Sequence, residues 1–199
     1  RPASVVKELV ENSIDSGATR IEVDVAQGGI TSIRVTDNGQ GIPKDELPLA
    51  PIRHATSKIH SLDDIYNTLT MGFRGEALAS VSHVAKCRII SKPASQETAY
   101  AIDADCGTIS AVQEISHPDG TTVDIRDIFR TIPVRRQYLK TPGTELSRIQ
   151  AQLVPMILVH PDIEFVLSSE GEEILSSVGI GKQKERIQHC FGKSLKDHL

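Results

Sequence analysis

Hydrophobic positions recur at helical spacing from Ala3 to Ser16, with Val6, Leu9, Val10 and Ile14 on one side and Gly17 as a stop, so an amphipathic helix is expected to open the chain. Its other side is polar. At about 100° per residue, Glu8, Asn12 and Asp15 fall within about 60° of one another, and Glu11 lies about 60° off that stripe as an ordinary surface carboxylate. The period then changes from helical to alternating. Ile21 to Val25 and Ile33 to Val35, bridged by Gly28 and Gly29, read as a hairpin with one buried face, and the second strand delivers Asp37 at its end. The turn-rich loop Asp37-Asn38-Gly39-Gln40-Gly41 follows. From Pro43 to Tyr66 the pattern is mixed, with Ser61-Leu62-Asp63-Asp64 resembling a capping box for a short helix.

Gly72-Phe73-Arg74-Gly75 is expected to open a small-residue helix running to Val81, after which strand signals recur near 85–92, 98–104, 108–115 and 121–127. Thr141 and Pro142 suit the cap and first position of a helix carrying Leu146, Ile149, Leu153 and Ile157, and a last strand runs from Ile163 to Leu167. Helices first and successive strands afterwards favour an α+β fold, with helices packed on one face of a mostly antiparallel sheet. A linker is expected near 177–182, which makes 1–177 one domain and 178–199 the start of another.

Composition changes this picture little. Hydrophobic residues make up 39% and charged residues 24%, an ordinary balance for a folded domain, which excludes disorder. The net charge of −4 gives no global positive field for nucleic acid; Arg135, Arg136, Lys140 and Arg148 remain candidates for a local basic surface or for ordinary solvated positions. Cys87, Cys106 and Cys190 are odd in number and far apart, which fits a reducing, intracellular compartment and no disulfide framework. No apolar run approaches the ~20 residues a membrane span needs. The chain opens at Arg1-Pro2 and stops at Leu199 inside a helix-like run, so it reads as a fragment.

Several familiar chemistries find no footing. Gly192-Lys193-Ser194 resembles the end of a P-loop, but Ile187 occupies the place of the required glycine. No cysteine pair has metal spacing, and neither a His-Glu-x-x-His nor a Gly-x-Ser-x-Gly string occurs. Scattered histidines such as His83 and His189 read as structural or surface residues.

Other segments hold more promise. Glu8 and Asn12, at i and i+4, could respectively activate a water and hold a divalent cation, or they could form a solvated helix face. Asp37 could accept a hydrogen bond from an exocyclic amine while Gly39 and Gly41 let the backbone approach a ring or phosphate; the bland alternative is a turn. The Gly72-to-Leu78 junction could bind an anion at a helix N-terminus, and Arg53-His54-Ala55-Thr56-Ser57-Lys58 could close over phosphates, or either could be an ordinary loop. Gly120-Thr121-Thr122 leads a strand, and a hydroxyl there could reach a nucleotide from the far side.

Taken together and in this order, these segments resemble the N-terminal ATPase of the MutL family of DNA mismatch-repair proteins. The resemblance is carried by Arg1-Pro2-Ala3-Ser4-Val5-Val6-Lys7-Glu8-Leu9-Val10-Glu11-Asn12-Ser13, the Asp37-to-Gly41 loop, Arg53 to Lys58, and Gly72-Phe73-Arg74-Gly75-Glu76-Ala77-Leu78. The Glu/Asn helix and the Asp-x-Gly-x-Gly loop are shared with gyrase ATPase subunits, heat-shock chaperone ATPases and sensor histidine kinases; the other two strings mark the mismatch-repair branch.

The resemblance implies a left-handed α/β sandwich of the Bergerat type, with ATP and Mg²⁺ as ligands. It implies Glu8 as general base, Asn12 as Mg²⁺ ligand and Asp37 as adenine reader, with Gly39 and Gly41 shaping the base pocket. Arg53, Thr56, Ser57 and Lys58 would belong to an ATP lid, expected to be largely disordered without nucleotide. Gly72, Phe73, Arg74, Gly75, Glu76, Ala77 and Leu78 would wrap the phosphates, and Thr121 would complete the adenine side. The implied role is an ATP-dependent switch that dimerises with itself or a paralogous subunit, engages mismatch-recognition and strand-processing proteins, and holds DNA mainly as the full-length dimer. Such a protein would be cytoplasmic in a bacterium and nuclear in a eukaryote.

Three departures qualify the likeness. Family members carry a dimerising segment ahead of the position of Arg1, and their second domain supplies a lysine to the terminal phosphate. Thr131 stands where the family usually has Asn. A nucleotide-binding interaction module without turnover is the alternative for this chain.

Overall fold

The computed structural model describes residues 1–52, 77–177 and Arg186. The first helix, α1, spans Pro2–Asp15 and ends where Gly17 takes a positive φ of 76°. Strand β1 (Arg20–Ala26) and strand β2 (Ser32–Asp37) pair antiparallel through a tight 3-10 turn at Gln27–Gly29, as the alternation predicts. A second 3-10 turn covers Leu47–Leu49. Helix α2 (Ala77–Ser82) leads into β3 (Lys86–Lys92), β4 (Ala99–Asp105), β5 (Thr108–Ile109), β6 (Gln113–Ile115) and β7 (Gly120–Arg126). Helix α3 (Pro133–Gln137) and helix α4 (Pro142–Val159) precede β8 (Glu164–Ser169) and β9 (Glu172–Ser176).

The nine strands among the described residues form one sheet in the order β5-β4-β3-β7-β2-β1-β8-β9, with β6 also on β4. Every pairing is antiparallel except β1 with β8, in accord with a mostly antiparallel α+β sheet. The expected strand over 108–115 is two pieces, because Thr108–Ile109 pairs with one end of β4 and Gln113–Ile115 with the other. Helix α3 and strand β9 go beyond the expected elements.

Strand alternation explains the layers. Val23, Val35, Val123, Ile89 and Ile102 stand side by side across five strands, and Val25, Ile33, Ile125, Cys87 and Ala104 form a parallel row. These rows join Val6, Leu9 and Val10 of α1 and Ile149, Leu153 and Ile157 of α4 in one core. Burying one such aliphatic side chain contributes about 2 kcal/mol, so the shared face dominates the stability. Thr141 caps α4 by accepting from the Thr144 amide at 3.4 Å, as its position predicts.

The opposite sheet face is charged. Asp24, Arg34, Asp124, Arg88 and Asp103 lie abreast on β1, β2, β7, β3 and β4, so the sign alternates strand by strand. Opposite charges directly across a strand pair attract, which helps pin the register of strands whose other face is apolar.

Among the described residues, no helix is long and apolar enough to cross a membrane. Arg186 is buried and donates from one guanidinium nitrogen to the carbonyls of Ile157, His160 and Ile163 near the end of α4. The remainder of 178–199 lies outside the described residues.

Candidate nucleotide site

At one end of the core face the strand rows change character. The row after Val23 and Val35 reads Phe165, Ile21, Asp37, Thr121, Ser91 and Tyr100 across adjacent strands, so three neighbouring positions that should be apolar are polar. Buried polar groups need partners, and these have them. The Ser13 hydroxyl of α1 donates to Asp37 Oδ2 at 2.8 Å, and the Gly39 amide donates to Asp37 Oδ1 at 2.9 Å. Ser91 Oγ lies 2.8 Å from Thr121 Oγ1 and 3.0 Å from the Gly120 carbonyl, and accepts from the Ile42 amide at 2.7 Å.

Asp37 is 9% exposed. Burial raises its pKa above the ordinary 3.8, although hydrogen bonds from Gly39, Ser13 and Thr121 and the nearby His117 oppose that rise. A desolvated carboxylate with its oxygens fixed is a strong, directed acceptor for a ligand N–H.

The loop after Asp37 is tied down on both sides. Asn38 Oδ1 accepts from the Thr19 and Arg20 amides, each at 2.9 Å, and the Gln40 amide donates to the Ser16 carbonyl at 3.0 Å. Gly39 packs so closely on Ser16 that a Cβ would lie 1.8 Å from its hydroxyl oxygen. Gly41 has a φ of 73°, and a Cβ there would meet the backbone of Lys92 and Pro93. Glycine at these two positions lets the loop lie flat against α1 and β3.

Helix α1 presents the other candidates. Glu8 is exposed, while Asn12 and Asp15 are half-buried. Asn12 adjoins Ser13, so the contact with Asp37 sets the rotation of this half of the helix. Glu11, expected on an ordinary surface, is instead 4% exposed and paired with Lys7. It turns toward the packed side of α1, where Lys7, one turn back, compensates its charge.

Arg53, Thr56, Ser57, Lys58, Gly72, Phe73, Arg74, Gly75 and Glu76 lie outside the described residues, and so does the expected ordering of the lid. Ala77 and Leu78 open α2, where Leu78 is half-buried against the core. Of the basic candidates, Arg148 pairs with buried Glu145 at 2.8 Å, and Arg135 stands 5.9 Å from the centre of the Phe129 ring. Arg136 and Lys140 are exposed. His83 is structural, with Nδ1 2.7 Å from the Ala79 carbonyl.

Ser91 lies in none of the quoted motif strings, and Ser13 ends one of them without a role. Their signal is one of phase: each is a polar side chain at a position where helix or strand periodicity calls for an apolar one.

Residues 1–129 match the family described as histidine kinase-, DNA gyrase B- and HSP90-like ATPase. The DNA mismatch repair protein MutL of Shewanella denitrificans is 50% identical over 195 residues, covering 96% of this chain and 29% of its own length. That of Agathobacter rectalis is 43% identical over 199 residues, covering all of this chain and 31% of its own. The Aquifex aeolicus MutL ATPase domain complexed with ADP has a TM-score of 0.75 and 34% identity, covering 96% of this chain and 68% of that one. The chain belongs to the MutL family. Its mixed α/β fold with a mostly antiparallel sheet is the fold of the MutL ATPase domain. The chain spans about a third of the length of the two MutL relatives from Shewanella and Agathobacter.

Proposed function

We propose that this chain binds ATP at the Asp37–Thr121 end of the sheet and takes part in its hydrolysis. The observation that carries the reading is the buried Asp37 carboxylate, held by Ser13 and Gly39 in a polar break of an otherwise apolar sheet face. An acceptor of this kind suits the exocyclic amine of adenine. The reading is supported by the ADP held by the Aquifex relative.

Hydrolysis assigns two tasks to the polar stripe of α1. Glu8, exposed on the helix, takes the proton of a water that attacks the terminal phosphorus, while the oxygen bridging to the second phosphate leaves with the bond electrons. Asn12 offers an amide oxygen one turn further on. A magnesium ion keeps several waters and substrate phosphate oxygens and needs few protein ligands, so this donor fits it. When bound, the ion supplies charge neutralisation between the phosphates. Arg53, Thr56, Ser57 and Lys58 and the segment Gly72 to Leu78 complete the proposal as lid and phosphate wrap.

In the whole protein, ATP binding would order the lid and drive pairing with a second copy or a paralogous subunit. That switch would couple mismatch recognition to strand-processing partners on DNA inside the cell, and hydrolysis would reset it.

The test is calorimetric titration of the full-length protein with a nonhydrolysable ATP analogue and Mg²⁺, paired with a phosphate-release assay. Asp37→Asn and Asn12→Ala should bind poorly, whereas Glu8→Ala should bind and not turn over. Unimpaired binding by Asp37→Asn would refute the site; binding without any turnover by the unaltered protein would favour a nucleotide-dependent interaction module.

A further inference from the structure

Ser91 belongs to no motif singled out in the sequence, yet it is fully buried and sits at the junction of three site elements. Its oxygen contacts the Ile42 amide of the glycine loop and, on β7, the Gly120 carbonyl and the Thr121 hydroxyl. A serine hydroxyl has one hydrogen and two lone pairs. The Ile42 amide takes one lone pair. The Gly120 carbonyl can only accept, so satisfying it uses the one Ser91 hydrogen. The remaining lone pair can then meet Thr121 only if Thr121 donates its own hydrogen inward. This arrangement satisfies all three neighbours of a buried hydroxyl, and it leaves the Thr121 oxygen with lone pairs for whatever enters the pocket.

The geometry points to Ser91 as a positioning residue that fixes the Thr121 hydroxyl as an acceptor beside the Asp37 carboxylate, so that the pocket wall accepts an amino purine and rejects a keto purine. The inference rests on the nucleotide reading above. Asp37 and Thr121 are direct cross-strand partners, so the two acceptors stand next to each other on one face. Adenine meets such a wall with an amine. Guanine meets it with a carbonyl oxygen, whose lone pairs face those of Asp37 and Thr121 without a hydrogen between them. Releasing Thr121 from Ser91 would let its hydroxyl turn and donate to that carbonyl.

The test measures the affinities of the full-length protein for adenylyl imidodiphosphate and guanylyl imidodiphosphate, both with Mg²⁺. Ser91→Ala is expected to lower the ratio of adenine to guanine affinity about fivefold, the size of one ordinary hydrogen bond. Ser91→Cys keeps the volume with a weak S–H donor and should move the ratio in the same direction, so the test survives if the alanine variant does not fold. In a Thr121→Val background the Ser91 exchanges should leave the ratio unchanged, because the hydroxyl they release is gone. An equal loss of both affinities, or a ratio change that persists with Thr121→Val, would overturn the role of Ser91. Failure of the unaltered protein to prefer the adenine nucleotide would instead refute the nucleotide reading beneath it.

Discussion

Ser13 Oγ donates to Asp37 Oδ2 at 2.8 Å, joining α1 to the end of β2 across 24 residues of sequence. The bond fixes the carboxylate to the helix that carries Glu8 and Asn12. Ser13→Ala leaves that oxygen without its donor, and buried charge-assisted bonds are worth about 1.5–3 kcal/mol. We expect the variant to bind an ATP analogue about tenfold more weakly while keeping a native circular-dichroism spectrum; undiminished affinity would show that Asp37 needs no help from α1.

Asp37 also sets a pH dependence. Because its pKa is raised above 3.8, mainly by burial, the folded protein holds this proton more tightly than the unfolded chain does. The stability that Asp37 contributes is therefore greatest in acid and falls as pH rises from 3.8 through the raised value. Binding that needs the ionised carboxylate runs the other way. Affinity for the ATP analogue should weaken as pH falls, starting at a higher pH than for a solvent-exposed aspartate; titrations across the acid range, with phosphate ionisation corrected, would detect it.

Glu145 is fully buried and gathers Arg148 at 2.8 Å, Arg1 at 3.5 Å and the Lys140 amide at 3.0 Å, tying the start of α1 to the start of α4. Arg1 and Arg148 are both more than a third exposed, so their charges stay solvated when the carboxylate goes, and the loss is about 1–2 kcal/mol from the screened pairs and the Lys140 amide bond. Glu145→Ala should lower the denaturation midpoint by that amount of stability, and Glu145→Gln by less, since it keeps a hydrogen-bond acceptor. Urea unfolding of both variants is the check.

Asp124 is the hub of the charged sheet face. Its burial favours the neutral form, yet hydrogen bonds from Arg126 and Arg34 prevail and hold its pKa below 3.8. A lowered pKa stabilises the fold above the unfolded value and loses that contribution as pH falls through the folded one, so the loss lies below pH 3.8. Both arginines are half exposed or more, which limits the effect to about 1 kcal/mol. Asp124→Asn should be less stable by that amount at neutral pH and indistinguishable from the parent in strong acid, as read by thermal unfolding at each pH.

The two described thiols should differ sharply in reactivity. Burial, with added repulsion from Asp124 and Asp103, pushes the Cys87 thiol up to about 12, whereas Cys106 is exposed. Thiolate is the reactive form. Site-resolved labelling with a maleimide at pH 7.5 should modify Cys106 within minutes and Cys87 only after denaturation; rapid native labelling of Cys87 would contradict its place in the core row.

The parts of the fold that announce themselves in sequence are those whose period matches their environment. Helix α1 and the β1–β2 hairpin each bury one face, so Val6, Leu9, Val10, Val23 and Val35 mark them. Strand β9 carries Glu172, Glu173 and Ile174 exposed in succession and exists because β8 offers an edge, with a bulge between Leu167 and Ser168. Helix α3 has no buried residue and thus no apolar stripe to read. Spacing leaves Glu8, Asn12 and Asp37 open between site residues and an ordinary helix face or turn, and the resemblance is what assigns their roles. Ser13 and Ser91 were hidden because a lone polar residue in an apolar phase acquires meaning only when its partner, distant in sequence, is known.

Strand β7 lies between β2 and β3, although β3 and β4 precede it in the chain. The first six strands therefore cannot complete the row of Asp37, Thr121 and Ser91 as they emerge from a ribosome; β2 and β3 must wait with their facing edges unpaired until Gly120 to Arg126 slots between them. Asp37 and Ser91 share no strand partner among the described residues before that moment. A nascent chain stalled short of Thr121 would be unable to hold nucleotide, whatever its helical content, and its open strand edges would be the part most in need of a chaperone.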